Sequence, residues 1–200
     1  MRYDWKHYLS FGHKLILSEG STVYNQGQDG IGLYYIEEGM VSIHVLSEEG
    51  KERIVNYLLD GYLLGEIGVT GEPHSTTAVC ETDTVLYYFS IEAFKWICVK
   101  HPKAQEIFMR SLSWKIRSLA DIVALTDKPH ETQMAHFLLQ LYYQYDGLPF
   151  PISLASLAKY IGTSRITVYK IVKKWSNKGL ISQKNKRIEI LDVKGMGALL

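Results

Sequence analysis

The sequence contains very little cysteine, because Cys80 and Cys98 are the only two in 200 residues. Two cysteines are too few for a disulfide scaffold, a four-cysteine metal site or an iron–sulfur cluster. No stretch approaches the ~18 consecutive apolar residues that a membrane span needs, and the first residues lack the apolar run of a signal peptide. We therefore expect a cytoplasmic protein without disulfides and without a membrane partner.

Motifs of the common enzyme classes are also absent. There is no P-loop, no Gly-x-Ser-x-Gly elbow and no His-Glu-x-x-His pair, and the seven histidines are dispersed without the spacing of metal ligands. The composition, with 46% hydrophobic and 22% charged residues, is that of an ordinary globular protein. The sequence therefore predicts neither an enzyme nor a metal site.

The net charge of +1 conceals two parts of opposite sign. Residues 151–200 hold ten Lys and Arg against Glu189 and Asp192, which gives a net charge of +8. Residues 1–150 hold 12 basic and 19 acidic residues, which gives −7. Such asymmetry is typical of a polyanion-binding module joined to a part that does not bind polyanions.

The first ninety residues have the pattern of an all-β domain. Eleven of the sixteen glycines lie in the first 71 residues, and short segments with strand character lie between them. Short strands separated by regular turn signals predict an antiparallel barrel or sandwich. The strands are predicted at 14–17, 41–45, 53–57 and 85–89, with a hairpin loop at 47–51.

A long helix is predicted from 101 to about 126, since neither glycine nor internal proline interrupts this segment. It carries two overlapping apolar stripes, so it needs cover on two sides. We expect its own barrel on one side and a second copy of the chain on the other; the alternative is one helix buried against one domain. The predicted dimer seam comprises Phe108, Leu112, Lys115, Leu119 and Ile122, and the overlapping stripe comprises Met109, Leu112, Ile116, Leu119 and Val123.

The remaining residues predict a winged helix. A helical stretch at 131–145 is followed by two short helices that Ser153 and Ser164 can cap, with a break at Gly162. The segment 180–191 then has the pattern of a hairpin. In modules of this kind, the N-terminal end of the second helix enters the major groove of DNA.

The second of these helices presents a basic face. At about 100° per residue, Ile166 and Lys170 point away from its apolar stripe. Arg165, in the first turn, is the candidate for a bidentate contact with guanine; Ile166 is either a contact for a thymine methyl or an ordinary exposed apolar residue. Nearby lysines and hydroxyls suit phosphates. The predicted DNA-binding set is Ser164, Arg165, Ile166, Thr167, Lys170, Lys173, Lys174, Lys184, Lys186 and Arg187.

Four segments resemble those of a known family. They are Gly-Leu-Tyr-Tyr-Ile-Glu-Glu-Gly at 32–39, Glu-Gly-Lys-Glu at 49–52, Asp-Gly-Tyr-Leu-Leu-Gly-Glu-Ile-Gly at 60–68 and Thr-Ser-Arg-Ile-Thr-Val-Tyr-Lys at 163–170. In these segments, and in the order of its elements, the sequence resembles the Crp/Fnr (catabolite activator and fumarate–nitrate regulator) family of bacterial transcription factors.

The resemblance implies an α+β fold in three segments. These are an antiparallel β-roll of the cyclic-nucleotide-binding type (a double-stranded β-helix) at 1–100, a dimerisation helix at 101–127 and a winged helix-turn-helix at 128–200. The resemblance further implies a homodimer that binds palindromic operators in double-stranded DNA under the control of a small-molecule effector. If the protein is an activator, RNA polymerase is a further partner.

The candidate effector pocket departs from the pattern of the family's cyclic-nucleotide-binding members. Gly65 and Glu66 match, and in the family this glutamate binds ribose hydroxyls. Thr76, however, stands where those members have the phosphate-pairing arginine. An enclosed phosphate without its cation costs about 3–5 kcal/mol, so cyclic AMP is not the expected effector. The predicted pocket residues are Gly65, Glu66, Thr76, Thr77, Lys115 and Leu119.

Other residues near the candidate pocket suggest alternatives to cyclic AMP as the effector. Arg53 or His74 could replace the missing charge, although no spacing requires it. Haem would need His74 or Cys80, and a lone histidine in a glycine-rich turn is more often an ordinary surface residue, so haem is not expected. An unknown small organic molecule, which Lys115 could bind if it is anionic, or no ligand at all, remains. The alternative functions are a cyclic-nucleotide regulator with a divergent phosphate site and a ligand-binding protein with a vestigial DNA module.

Overall fold

The computed structural model describes residues 3–184 and 187–200. The chain divides into two compact units, Met1–Ala120 and Asp121–Leu200, and each has its own buried core. The boundary falls within the long helix that the sequence predicted as a separate segment. Within the described residues, no helix is long and apolar enough to cross a membrane.

The first unit contains two antiparallel sheets of four strands each. The strands are β1 (His13–Leu17), β2 (Thr22–Tyr24), β3 (Gly32–Glu38), β4 (Met40–Leu46), β5 (Glu52–Leu59), β6 (Leu63–Leu64), β7 (Thr77–Cys80) and β8 (Thr84–Ser90). One sheet has the order β1-β8-β3-β6 and the other β2-β7-β4-β5. Fully buried side chains such as Leu33, Tyr35 and Phe89 form the core. The four predicted strands are confirmed as parts of β1, β4, β5 and β8, and the loop at 47–51 joins β4 to β5.

A helix that the sequence analysis missed follows β8. This helix, α1, spans Ile91–Lys100 and begins after Ser90, whose hydroxyl accepts a hydrogen bond from the Ala93 amide at 3.2 Å. Phe94, Ile97 and Cys98 recur at helical spacing and are buried. A serine cap followed by this spacing is a helix signal, so the sequence did contain the information for α1.

The long helix α2 spans Pro102–Leu125, which confirms the helix predicted at 101–126. Its buried positions include Ala104, Ile107 and Ser111. Its exposed apolar side chains form one stripe, which we call the outer stripe of α2. The outer stripe consists of Met109, Ile116, Leu119 and Val123, whose exposed fractions are 59%, 68%, 50% and 73%.

Two residues of the predicted dimer seam are used inside the chain. Phe108 lies against Phe94 of α1 with ring centroids 4.8 Å apart, and Lys115 forms an ion pair with Glu66. Both side chains thus have partners within one chain, and their place in a dimer seam stays a prediction. Because α1 and the turn after β6 occupy that face of α2, the outward-facing apolar residues are those of the overlapping stripe except Leu112, which is half-buried.

The second unit is a helix-turn-helix followed by a hairpin. Its elements are α3 (His130–Gln144), β9 (Phe150–Pro151), α4 (Leu154–Ile161), α5 (Arg165–Asn177), β10 (Ile181–Lys184), β11 (Arg187–Ile190) and α6 (Val193–Gly197). The three strands form a sheet in the order β10-β11-β9. Phe137 of α3 stacks on Tyr160 of α4 at 3.7 Å, and Trp175 of α5 is fully buried. The predicted winged helix is thus confirmed.

Both predicted serine caps are present in the second unit. The Ser153 hydroxyl accepts from the Ser156 amide at 3.0 Å, and the Ser164 hydroxyl accepts from the Thr167 amide at 3.1 Å. Gly162, between α4 and α5, has φ of +74°, a left-handed conformation that glycine adopts without strain. The turn and the two caps fix the start of α5, and hence which of its side chains face outward.

Candidate effector cavity and nucleic-acid interface

The first unit contains a cavity of about 440 Å³. Five of the predicted pocket residues line it: Gly65, Glu66, Thr76, Lys115 and Leu119. The sixth, Thr77, is used elsewhere, because its hydroxyl accepts a hydrogen bond from the Gln26 amide at 2.9 Å. The rest of the wall is mostly apolar and is formed by β4 and β5, by the turn after β6 and by α2.

The polar centre of the cavity is the Glu66–Lys115 ion pair. Lys115 Nζ contacts both carboxylate oxygens of Glu66, at 2.5 Å for Oε1, and also donates to the Leu63 carbonyl at 2.9 Å. Ser111 Oγ donates to Glu66 Oε1 at 2.7 Å. Glu66 is only 5% exposed, so the pair lies in the wall of the cavity rather than in bulk solvent.

The surroundings of Glu66 keep it ionised. Burial raises the pKa of its carboxyl, but the charge of Lys115 and the hydrogen bonds from Lys115 and Ser111 together outweigh burial, so the pKa lies below its usual value. Gly65 positions the carboxylate: its φ is +74°, and a Cβ there would lie 3.3 Å from the rings of Tyr24 and Tyr34. A larger residue at position 65 would therefore disturb this turn.

His74 and Tyr24 form a second, neutral part of the wall. Their rings stack with centroids 3.9 Å apart, and His74 is only 4% exposed. The expectation that His74 is an ordinary surface residue is therefore wrong. Burial lowers the pKa of the His74 imidazole, so the ring is neutral at pH 7. Burial also raises the pKa of the Tyr24 hydroxyl, against a smaller opposing effect of its hydrogen bond to Thr76.

The sequence analysis missed two lining residues of this cavity, Tyr24 and Asn56, and the Ser111 hydroxyl that donates to Glu66. Tyr24 ends β2, a three-residue strand that was not predicted, and Asn56 lies in β5, where only Arg53 was considered. For Ser111 a signal existed, because it lies four residues before Lys115 and therefore on the same helix face. Among the described lining residues, Arg53 is not present, so the structure does not place it as a replacement cation.

The outward face of α5 is basic and partly apolar. Arg165, Lys170 and Lys173 are exposed. Ile166 is 67% exposed, as its angular position predicted, and Tyr169, which the sequence analysis did not single out, is 52% exposed. The face therefore offers cationic groups for phosphates and base edges, together with apolar surface suited to thymine methyls.

Several of the other predicted DNA-binding residues have partners within the second unit. Ser164 and Thr167 are engaged in the cap, with their hydroxyl oxygens 3.0 Å apart. Lys174 Nζ donates to Glu131 Oε1 at 2.7 Å, and Arg187 Nη1 donates to the Pro149 carbonyl at 3.2 Å. Lys184 is exposed at the end of β10. Lys186 lies outside the described residues.

Comparison with known proteins identifies the chain. A profile of the cyclic nucleotide-binding domain matches residues 14–101, and a profile of the Crp-like helix-turn-helix domain matches residues 132–199. The cAMP-activated global transcriptional regulator CRP of Salmonella typhimurium is 30% identical over 199 aligned positions, which cover 94% of this chain and 92% of that protein. The chain belongs to the Crp/Fnr family. It is therefore a transcriptional regulator with a Crp-like DNA-binding domain, and not an enzyme.

Other Crp/Fnr proteins agree with this assignment. The transcriptional activator protein FnrA of Stutzerimonas stutzeri is 25% identical and covers 92% of this chain and 78% of its own length. The structure of FixK2 from Bradyrhizobium japonicum superposes with a TM-score of 0.84 at 16% identity, covering 94% of this chain and 96% of that one. At that identity the superposition supports the fold alone, and it agrees with the predicted β-roll and winged helix.

Proposed function

We propose that this regulator responds to a small molecule other than cyclic AMP, which it binds in the cavity of the first unit. The observation that carries the proposal is the Glu66–Lys115 ion pair. Oε1 of Glu66 already accepts from Lys115 and Ser111, and Oε2 accepts from Lys115, so the hydroxyls of a ribose would have to share this carboxylate with an ammonium group. Thr76, where a phosphate-pairing cation is needed, offers only a hydroxyl, and an enclosed phosphate without a cation costs about 3–5 kcal/mol.

The second unit reads the operator through α5. Arg165 contacts a base edge, Ile166 and Lys170 tune which base is preferred, and Lys173 binds phosphate. The exposure of these side chains on one helix face supports this assignment. Lys184 and Arg187 in the hairpin, together with Lys186, which lies outside the described residues, contribute affinity that depends on salt, since each phosphate contact releases counterions.

The regulator acts as a homodimer whose seam is the outer stripe of α2. Four exposed apolar side chains on one helix face support this, because such a stripe is costly to leave in water. Two copies present two α5 helices to half-sites about one helical turn, ~34–36 Å, apart, and this geometry requires a palindromic operator. If the protein activates transcription, the DNA-bound dimer also contacts RNA polymerase.

The test combines a selection with a titration. The full-length protein is used to select genomic DNA fragments, and the recovered fragments are bound again with and without cyclic AMP. We expect an enriched palindromic sequence, no change of its affinity with cyclic AMP, and no heat in a calorimetric titration with cyclic AMP or cyclic GMP. Recovery of no enriched sequence contradicts the DNA-reading part of the proposal.

A second candidate is a cyclic-nucleotide regulator with a divergent phosphate site. It is favoured by the similarity of this chain to the Salmonella typhimurium regulator, which is activated by cAMP. Under this candidate the same titration gives saturable heat with one nucleotide bound per chain. That outcome would replace the first proposal, while the selected operator would stand under both.

A further inference from the structure

The charged side chains that the structure describes in the wall of the first unit's cavity compensate each other. Among the described residues that line it, Lys115 is the only ammonium or guanidinium group and Glu66 the only carboxylate. They are paired; Lys115 also donates to the Leu63 carbonyl, and Glu66 also accepts from the Ser111 hydroxyl. His74, the other titratable group that could carry a positive charge in the wall, is buried and stacked on Tyr24.

We infer that the ligand of this cavity is an uncharged, largely apolar small molecule. The inference rests on the proposed function, because it presumes that the cavity binds a ligand, and it specifies the chemical class of that ligand. An anionic group could reach Lys115 Nζ only by displacing the Glu66 carboxylate, which is 5% exposed and would then be left without its cation. Removing one partner of a buried ion pair is strongly unfavourable. A neutral ligand leaves the pair intact.

The wall of the cavity agrees with a ligand of this class. β4 and β5 contribute Ile43, Val45, Val55 and Leu58, and α2 contributes Leu112, Ile116 and Leu119. A volume of about 440 Å³ with this apolar lining lies within the ~300–1,000 Å³ of typical ligand sites. Ser75 and Thr76 also line the cavity, and their hydroxyls are neutral hydrogen-bonding groups that can orient a polar substituent.

Two fluorescent probes that differ by a single charged group test the inference. N-phenyl-naphthylamine is neutral, and anilinonaphthalene sulfonate is the same ring system with one sulfonate. We expect the neutral probe to bind the full-length protein with one site per chain and about tenfold more tightly than the sulfonate. Equal affinities, tighter binding of the sulfonate, or failure of the neutral probe to bind would each overturn the inference.

Two variants separate the effect of charge from that of shape. Glu66→Gln keeps the size of the side chain but leaves the Lys115 ammonium without its anion, so the preference should reverse toward the sulfonate. The double variant Glu66→Gln/Lys115→Gln removes both charges, and it should again prefer the neutral probe. If Glu66→Gln keeps the original preference, the ion pair does not set ligand charge and the inference is wrong.

A third variant checks where the probe binds. Val55→Trp places an indole into the cavity and should abolish binding of the neutral probe. Binding that persists in Val55→Trp would place the probe elsewhere, for example on the outer stripe of α2, and would overturn the inference. The outcome is independent of DNA binding. A protein that prefers the neutral probe and enriches no operator keeps the ligand class while the proposed function fails.

Discussion

Lys174 Nζ of α5 lies 2.7 Å from Glu131 Oε1 of α3, whereas the neighbouring Lys173, also exposed, forms no ion pair with any residue that the structure describes. Of these two adjacent lysines, only Lys174 is paired with a carboxylate among the described residues. A lysine that pairs with a carboxylate loses part of that interaction when it binds a phosphate, so the two lysines should contribute unequally to DNA affinity.

This difference can be measured from the salt dependence of operator binding. Lys173→Ala should reduce the slope of log affinity against log salt concentration by about 0.9, the value for one lost phosphate contact, and Lys174→Ala should leave it nearly unchanged. Glu131→Gln removes the carboxylate that pairs with Lys174, so this variant should increase the magnitude of the slope. Equal losses in the two alanine variants would show that Lys174 exchanges Glu131 for phosphate on the DNA.

Arg165 is expected to determine base preference rather than overall affinity. Arg165→Ala should cost about 1–3 kcal/mol on the preferred operator and should relax specificity at one position in each half-site. Binding to a library of single-base operator variants measures this, with Lys173→Ala as the phosphate-contact control. A uniform loss over all operator variants would assign Arg165 to the DNA backbone instead.

If the outer stripe of α2 is the dimer seam, a charged residue introduced into it should change the oligomeric state. Val123→Glu should dissociate the dimer, because the stripe would have to bury a carboxylate, and the thermal stability of the isolated chain should change little at a side chain that is 73% exposed. Val99→Glu on α1 is the matched control, since Val99 is 75% exposed but lies off the stripe. Sedimentation of both variants over a range of concentrations measures the result. Dissociation by both, or by neither, contradicts a seam on α2.

Because His74 is buried, the first unit should lose stability at mildly acidic pH. Burial lowers the pKa of the folded-state imidazole below its usual value, so the unfolded chain binds the proton more readily. Stability is therefore fully present above about pH 6.5, the ordinary histidine value, and it falls as the pH drops from there toward the folded-state pKa. His74→Phe keeps a ring on Tyr24 and does not titrate. Urea unfolding between pH 7 and pH 5 should show a smaller loss in this variant than in the parent protein.

The sequence predicts best those elements that local signals specify. The serine caps at 153 and 164, the glycine between them and the apolar spacing of α5 are all local, so they locate the helix-turn-helix and the outward position of Ile166. The same signals existed for α1, but in a ten-residue helix next to a strand they did not stand out. Resemblance added Glu66 and Thr76, and both line the cavity.

What the sequence could not predict depends on contacts between distant segments. The pairing of Lys115 with Glu66 joins residues 49 positions apart, and nothing local distinguishes it from a lysine that faces a partner. The two overlapping stripes of α2 are related by a small rotation of the helix. Only the positions of Phe94 and Glu66 decide which stripe is covered, and hence why Phe108 and Lys115 turn inward.

One face of α2 serves two purposes at once. Ile116 and Leu119 line the cavity of the first unit and are also members of the outer stripe. A substitution that reshapes the cavity for a different guest molecule therefore also alters the outer surface of the helix. Changes at these two positions should show epistasis with the rest of the stripe. Evolution of a new ligand specificity through Ile116 or Leu119 should therefore also change the proposed dimer interface.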